Sequence, residues 1–327
     1  MMEGALLVTV VIPTHNRCRL LARLLASLSA QTLDPGQFEV IVVHNHTDDG
    51  TEAMARQWCD VQPFRARYFR KAYSGPARSR AFGASLAQGA CMAFIDDDCE
   101  ATPDWLRCGV AAFAEGTDAG ESTVGLVQGS TLPMPGQRRP FLSKTIDIPG
   151  PTVFYETCNI FYRRSAFEAV GGFSEDFLDR FYGEDTDLGW KLVQAGYAGR
   201  FAPAARVHHE IFHVSLYQWL TEPLHFRNLP HLVKKYPRLR EHMYMRYFIS
   251  RDSLLFNLLP LALLLAPVAG PAALALTLPY FAERYRNGGH VRQLHFRLLR
   301  ACAGVPRGAF AWWALVRGSW RAKALLL

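Results

Sequence analysis

Apolar positions in the first 130 residues follow two rhythms that alternate. Residues 6–12 form a β-branched run closed by Pro13, the pattern of a buried strand. Leu20, Leu21, Leu24, Leu25 and Leu28 then recur at helical spacing. The alternation continues with a strand over 38–43, a helix over 51–59 capped by Thr51, a weaker strand over 65–69, a helix over 77–88 and a buried strand over 91–95. Thr102-Pro103 opens a further helix, and 124–129 reads as another strand. Such alternation predicts an α/β fold, a sheet with helices packed on its faces. Residues 132–151, dense in Pro, Gly and Arg, predict a long loop of the kind that serves as a lid. A strand through 158–162, a Gly171-Gly172 turn and a helix over 184–194, closed by Gly196, follow.

The pattern changes late in the chain. Residues 254–281 carry no charge, a length that can cross the roughly 30 Å hydrocarbon core of a bilayer. Pro260, Pro267, Pro271 and Pro279 interrupt the stretch, so a broken, re-entrant or interface-lying segment fits as well as a straight span, and a buried helical pair is the alternative. The whole chain of 327 residues has a net charge of +7, but residues 282–327 hold nine Lys or Arg against Glu283 alone. The basic excess therefore belongs to the tail, where Trp312, Trp313 and Trp320 accompany it. That pairing points to a membrane surface rather than to nucleic acid. Seven scattered cysteines with no C-x-x-C pair fit reduced thiols and a cytoplasmic setting. The N-terminus has no basic lead or cleavage site, and no signal peptide is expected.

Candidate chemistry lies in two acidic clusters. Phe94-Ile95-Asp96-Asp97-Asp98 delivers three carboxylates at the end of an apolar strand, where open α/β sheets gather ligands. Adjacent carboxylates repel unless a cation neutralises them, and hard Mn²⁺ or Mg²⁺ could also bridge a diphosphate. Gly183-Glu184-Asp185-Thr186-Asp187 places three more at a helix start. Alone these would merely suit the helix dipole. With the first cluster, one set can hold a metal and the other supply a general base.

In order along the chain, Val10-Val11-Ile12-Pro13-Thr14-His15-Asn16-Arg17, Gly75-Pro76-Ala77-Arg78-Ser79-Arg80, Asp96-Asp97-Asp98, Val170-Gly171-Gly172-Phe173-Ser174-Glu175 and Gly183-Glu184-Asp185-Thr186-Asp187-Leu188 resemble the motifs of a family 2 glycosyltransferase of the GT-A fold, over residues 5 to 210. The resemblance implies a Rossmann-like mixed sheet with flanking helices. It implies an inverting, metal-dependent transferase that moves one sugar at a time from a nucleotide-diphosphate sugar to an acceptor hydroxyl. Pro13, Thr14, His15, Arg17 and Arg78 would line the donor site, with Asp96 and Asp97. Asp98, with Asp96 and His209, would hold Mn²⁺ or Mg²⁺, His209 being preferred to His208 by its spacing from Pro203. Asp185 would be the base, and Glu184 would help hold the acceptor.

One departure is that His44-Asn45-His46 stands where the family usually has an acidic pair, so Asn45 is left to meet the base and the nucleotide is not specified. No Q-x-x-R-W motif of processive synthases is present. The implied division is a catalytic domain (1–210), a helical extension (211–252), a hydrophobic membrane-associating segment (253–281) and a basic helical tail (282–327). A glycan or lipid-linked acceptor of the cell envelope, met at the cytoplasmic face of the membrane, follows from it, with no nucleic-acid partner. A nucleotidyltransferase would need a glycine-rich loop where Pro13-Thr14-His15-Asn16 stands, and a non-catalytic sugar-nucleotide scaffold would not need both acidic clusters.

Overall fold

A computed structural model of the chain describes residues 6–46, 48–72, 74–114, 123–178, 182–287 and 294–327. The extreme N-terminus, Thr47 and Arg292 of the basic tail lie outside the described residues. Two compact units form, one of Met1–Gln137 with Thr145–Ile211 and one of Arg138–Lys144 with Phe212–Leu327.

The first half of the chain runs β1 (Val8–Thr14), α1 (Cys18–Ser29), β2 (Phe38–Asn45), α2 (Thr51–Asp60), β3 (Arg65–Lys71), α3 (Gly75–Ser85), β4 (Cys91–Ile95), β5 (Cys99–Ala101), α4 (Trp105–Ala111) and β6 (Val124–Pro133). It continues through β7 (Ser143–Lys144), β8 (Asn159–Arg163), α5 (Arg164–Ala169), α6 (Glu175–Leu178), α7 (Glu184–Gln194), β9 (Ala198–His209) and β10 (Phe212–His213). In the first unit eight strands form one mixed sheet in the order β3-β2-β1-β4-β8-β6-β9-β5. β3, β2, β1 and β4 are parallel, whereas β8 runs antiparallel to both β4 and β6, and β5 antiparallel to β9. This is the α/β architecture that the resemblance implies.

β1 and β2 are buried along their whole length, which is why their sequences read as continuous apolar runs. α1 buries Leu21, Leu24, Leu25 and Leu28, each worth about 1.5–3 kcal/mol. β2 lies on one side of β1 and β4 on the other, so the strand order reverses at β1 and opens a crevice beyond the ends of β1 and β4.

Several boundaries depart from the sequence reading. Thr51 is not a cap. Gly50, at φ +85°, precedes the helix, and the Asp49 carboxylate accepts the N–H groups of Cys18 and Thr51. Nor does Thr102 open a helix: its hydroxyl donates to the Arg206 carbonyl, and α4 starts at Trp105. The segment expected as one loop after residue 132 contains β7, and Ile148 pairs with Thr131.

The second unit pairs β7 with β10 and adds α8 (Leu216–Thr221), α9 (Leu229–Lys235), α10 (Arg251–Phe256), α11 (Leu258–Ala269), α12 (Leu278–Asn287) and α13 (Leu294–Ala322). From Arg251 to Asn287 the 37 residues are helical, and are long and apolar enough to cross a membrane. Only 11% of the most apolar window is buried within the chain. Leu263, Leu264 and Val268 are 70%, 74% and 90% exposed.

Candidate active site

β4 is buried on both faces, so the chain leaving it carries Asp96, Asp97 and Asp98 directly into the crevice. Each carboxylate finds a different setting. Thr14, at the end of β1, donates its hydroxyl to Asp97 Oδ2 at 2.8 Å. Arg17, where α1 begins, donates through Nη1 to Asp97 Oδ1 at 2.9 Å and to Asp98 Oδ2 at 2.7 Å. Burial pushes the Asp97 carboxyl up to about 6, against the pull of Arg17. Asp96 turns towards α3, where Arg80 Nη2 meets its Oδ1 at 2.6 Å.

Sheet register brings a histidine to Asp98. β5 and β9 are antiparallel with Cys99 opposite His209, and the Glu210 N–H donates to the Asp98 carbonyl at 2.9 Å. His209 Nε2 consequently lies 3.3 Å from Asp98 Oδ1. Successive strand residues face opposite ways, so His208 points elsewhere. His209 Nδ1 is 2.7 Å from the Glu210 carbonyl, which favours the tautomer with the proton there and leaves the Nε2 lone pair facing Asp98.

These atoms suit a divalent ion. Asp98 Oδ1 is buried yet accepts no hydrogen bond, a costly state that a cation at that oxygen would relieve. Asp98, Cys99 and His209 bring an oxygen, a sulfur and a nitrogen within 4.8 Å of one another. Burial, then the charge of Asp98, holds the Cys99 thiol well above its usual range. It stays protonated, a poor ligand for a hard ion, whereas the oxygen and nitrogen are suitable.

The second cluster begins α7. Gly183 turns the chain into the helix at φ +113°, a conformation a side chain would resist. Arg80 Nη1 lies 3.3 Å from Glu184 Oε1, so one buried guanidinium ties Glu184 to Asp96. Those two carboxylates hold the Arg80 pKa above its ordinary value despite burial. Glu184 Oε2 is buried with no hydrogen-bond partner. Asp185 keeps partial exposure, and its Oδ1 accepts the Thr186 N–H at 2.8 Å. Burial, followed by the charges of Glu184 and Glu156, raises the Asp185 pKa well above the carboxylate range.

The remaining donor-site candidates are placed as follows. Pro13 and Thr14 end β1, and His15 Nδ1 is 3.0 Å from the Asn45 carbonyl. Asn45 Oδ1 accepts the Ser74 N–H at 3.2 Å and the Ser79 hydroxyl at 3.1 Å, which ties the end of β2 to the start of α3. Arg78 is half-buried on α3, one residue from the inward-facing Ser79. The sequence reading missed Arg80, which pairs with Asp96 and Glu184, and also missed Glu156 and Cys99. Arg80 lies within the motif already noticed, but no apolar stripe marks the inner face of α3, which buries Ala77, Ser79, Arg80 and Gly83.

Against known proteins, the model described as Glycosyl transferase family 2 matches residues 9–171, and that described as Glycosyl transferase family group 2 matches residues 92–286. Glycosyltransferase AglE of Haloferax volcanii is 28% identical over 207 residues, covering 60% of this chain and 64% of AglE. The pre-mycofactocin glycosyltransferase of Mycobacterium tuberculosis is 32% identical over 220 residues, covering 62% of this chain and 42% of that protein. The chain thus spans less than two thirds of the length of either curated relative. Among solved structures, the mannosyltransferase PcManGT of Pyrobaculum calidifontis, in complex with GDP-Man and Mn²⁺, aligns with a TM-score of 0.58 at 18% identity. The alignment covers 96% of this chain and 87% of that one, a likeness of fold.

Proposed function

We propose that this chain, which belongs to glycosyl transferase family 2, moves single sugars from a nucleotide-diphosphate sugar to an acceptor hydroxyl with inversion at the anomeric carbon. The observation that carries the reading is the unbonded Asp98 Oδ1 facing His209 Nε2, joined through Asp96 and the buried Arg80 to Glu184, the residue before a carboxyl of raised pKa. Asp98 and His209 would hold Mn²⁺ or Mg²⁺, which supplies positive charge where the diphosphate leaves. The pairing of a related fold with GDP-Man and Mn²⁺ in PcManGT supports that assignment.

In this reading the crevice beyond β1 and β4 takes the donor, with Pro13, Thr14, His15, Arg17, Asn45, Arg78, Asp96 and Asp97 around it. Arg17 and Arg78 add positive charge for the phosphates. Asp185 accepts the proton of the acceptor hydroxyl as that oxygen attacks in line, and Glu184 helps orient the acceptor. A base with a raised pKa takes the proton more readily than an ordinary carboxylate, provided the working pH keeps it ionised.

The acceptor assigned is a glycan or lipid-linked precursor of the cell envelope, met at the cytoplasmic face of the membrane. The exposed leucines of α11 and the seven unpaired cysteines support that setting. The test separates transfer from donor binding. Asp185→Asn is expected to bind a nucleotide sugar as wild type does while losing transfer by at least about a hundredfold; transfer at the wild-type rate would remove Asp185 from the role.

A further inference from the structure

The turn after β9 is tied down through Glu210. Its backbone N–H donates to the Asp98 carbonyl at 2.9 Å, and its carbonyl faces His209 Nδ1 at 2.7 Å. The main chain of one residue thus joins the two residues assigned to the metal. A ring held through Nδ1 keeps one orientation, with Nε2 directed at the ion.

The Glu210 side chain anchors that main chain. Arg23, on α1, donates through Nη2 to Glu210 Oε2 at 2.5 Å. Its Nε lies 3.6 Å from Oε2 of Glu100, the residue after Cys99 on β5. Arg23 therefore spans β5 and the end of β9, the two strands whose register sets His209 beside Asp98. Gln137 Nε2 donates to Glu210 Oε1 and Oε2, each at 3.0 Å, and its Oε1 accepts the Ile211 N–H at 3.0 Å. A backbone N–H can only donate, so the Gln137 oxygen must face Ile211 and its amide nitrogen the carboxylate. All of these residues belong to the first unit.

Such an anchor does little for the fold as a whole. The Arg23 and Glu210 side chains are 32% and 18% exposed, and an ion pair so close to water contributes little net stability. Position is another matter, because metal–ligand distances tolerate only about 0.2 Å of error. α1 already holds the Asp98 carboxylate through Arg17, so the same helix fixes the carboxylate directly and the imidazole through Glu210.

We propose that Glu210, clamped by Arg23 and Gln137, is a positioning residue that holds the His209 ring at metal-binding distance from Asp98. This role rests on the reading of Asp98 and His209 as metal ligands.

The test uses the full chain in detergent, with Mn²⁺ as probe, alone and with GDP or UDP, and the electron paramagnetic resonance signal of free Mn²⁺ as readout. Glu210→Ala should weaken Mn²⁺ binding about ten- to a hundredfold, the scale of an outer-shell partner. Arg23→Gln and Gln137→Ala should each weaken it by about threefold or more, the scale of one hydrogen bond, and Arg23→Lys should recover part of the loss. Arg23→Gln combined with Glu210→Ala should bind no more weakly than Glu210→Ala alone, because both cut one link. Arg56→Gln, which breaks the pair with Glu52, should bind as wild type does. Wild-type affinity in folded Arg23→Gln and Gln137→Ala proteins, or losses that multiply in the double variant, would overturn the clamp and leave the metal site standing. A wild-type protein that binds no Mn²⁺ under any of these conditions would remove the metal site and the clamp together. The expected pattern without nucleotide release from any donor would keep the clamp and remove the transferase reading.

Discussion

Two demands meet at Asp185. As the proposed base Asp185 has to be ionised, yet burial and the charges of Glu184 and Glu156 favour its protonated form. Because the folded-state pKa is raised, the protonated carboxyl favours the fold, and that contribution is lost as pH rises through the raised value. Asp185→Asn should therefore melt higher than wild type at pH 8, by roughly 2–4 °C for about 1 kcal/mol, with a smaller gap at pH 5. Differential scanning fluorimetry at the two pH values checks this. The acid limb of the wild-type rate profile should lie above pH 4, the ordinary carboxylate range of about 4 being displaced upward. At Asp98, His209→Ala should weaken metal activation by at least about tenfold, since even outer-shell partners are worth 10–100-fold, and His208→Ala should not. A metal titration of activity distinguishes the two histidines. Arg80→Gln leaves Asp96 and Glu184 without the cation between them and should cost about 3–5 kcal/mol in chemical unfolding, with Arg80→Lys falling between.

At the scale of elements, what could be read from sequence depended on how each element buries itself. β1, β2 and β4 are covered on both faces and announce themselves as apolar runs, so the acidic end of β4 was visible at once. The inner face of α3 was not, because it packs through small and polar residues, and no apolar neighbour singled out the buried Arg80. β9 alternates exposed and buried positions and contains Pro203, so nothing in it reads as a twelve-residue strand. The spacing from Pro203 pointed to His209, but only the register with β5 places that ring beside Asp98. Similarly, the caps expected at Thr51 and Thr102 lost to an Asp49 bridge and to a bond with Arg206, partners distant in sequence.

For the whole molecule, the first unit holds both acidic clusters and the second the apolar span. Membrane association is expected to depend on the exposed face of α11. Leu263→Glu with Leu264→Glu should move the protein from the membrane pellet to the supernatant, and pelleting of the double variant as wild type would contradict that attachment. The central claim is metal-dependent use of a nucleotide sugar. It is met most directly by incubating the purified chain with UDP-, GDP- and dTDP-sugars in Mn²⁺, Mg²⁺ or chelator and following release of nucleoside diphosphate. Slow release from one donor, abolished by chelator and by Asp98→Asn, is the predicted result. Release unaffected by chelator, or neither release nor binding with any donor, would contradict the account.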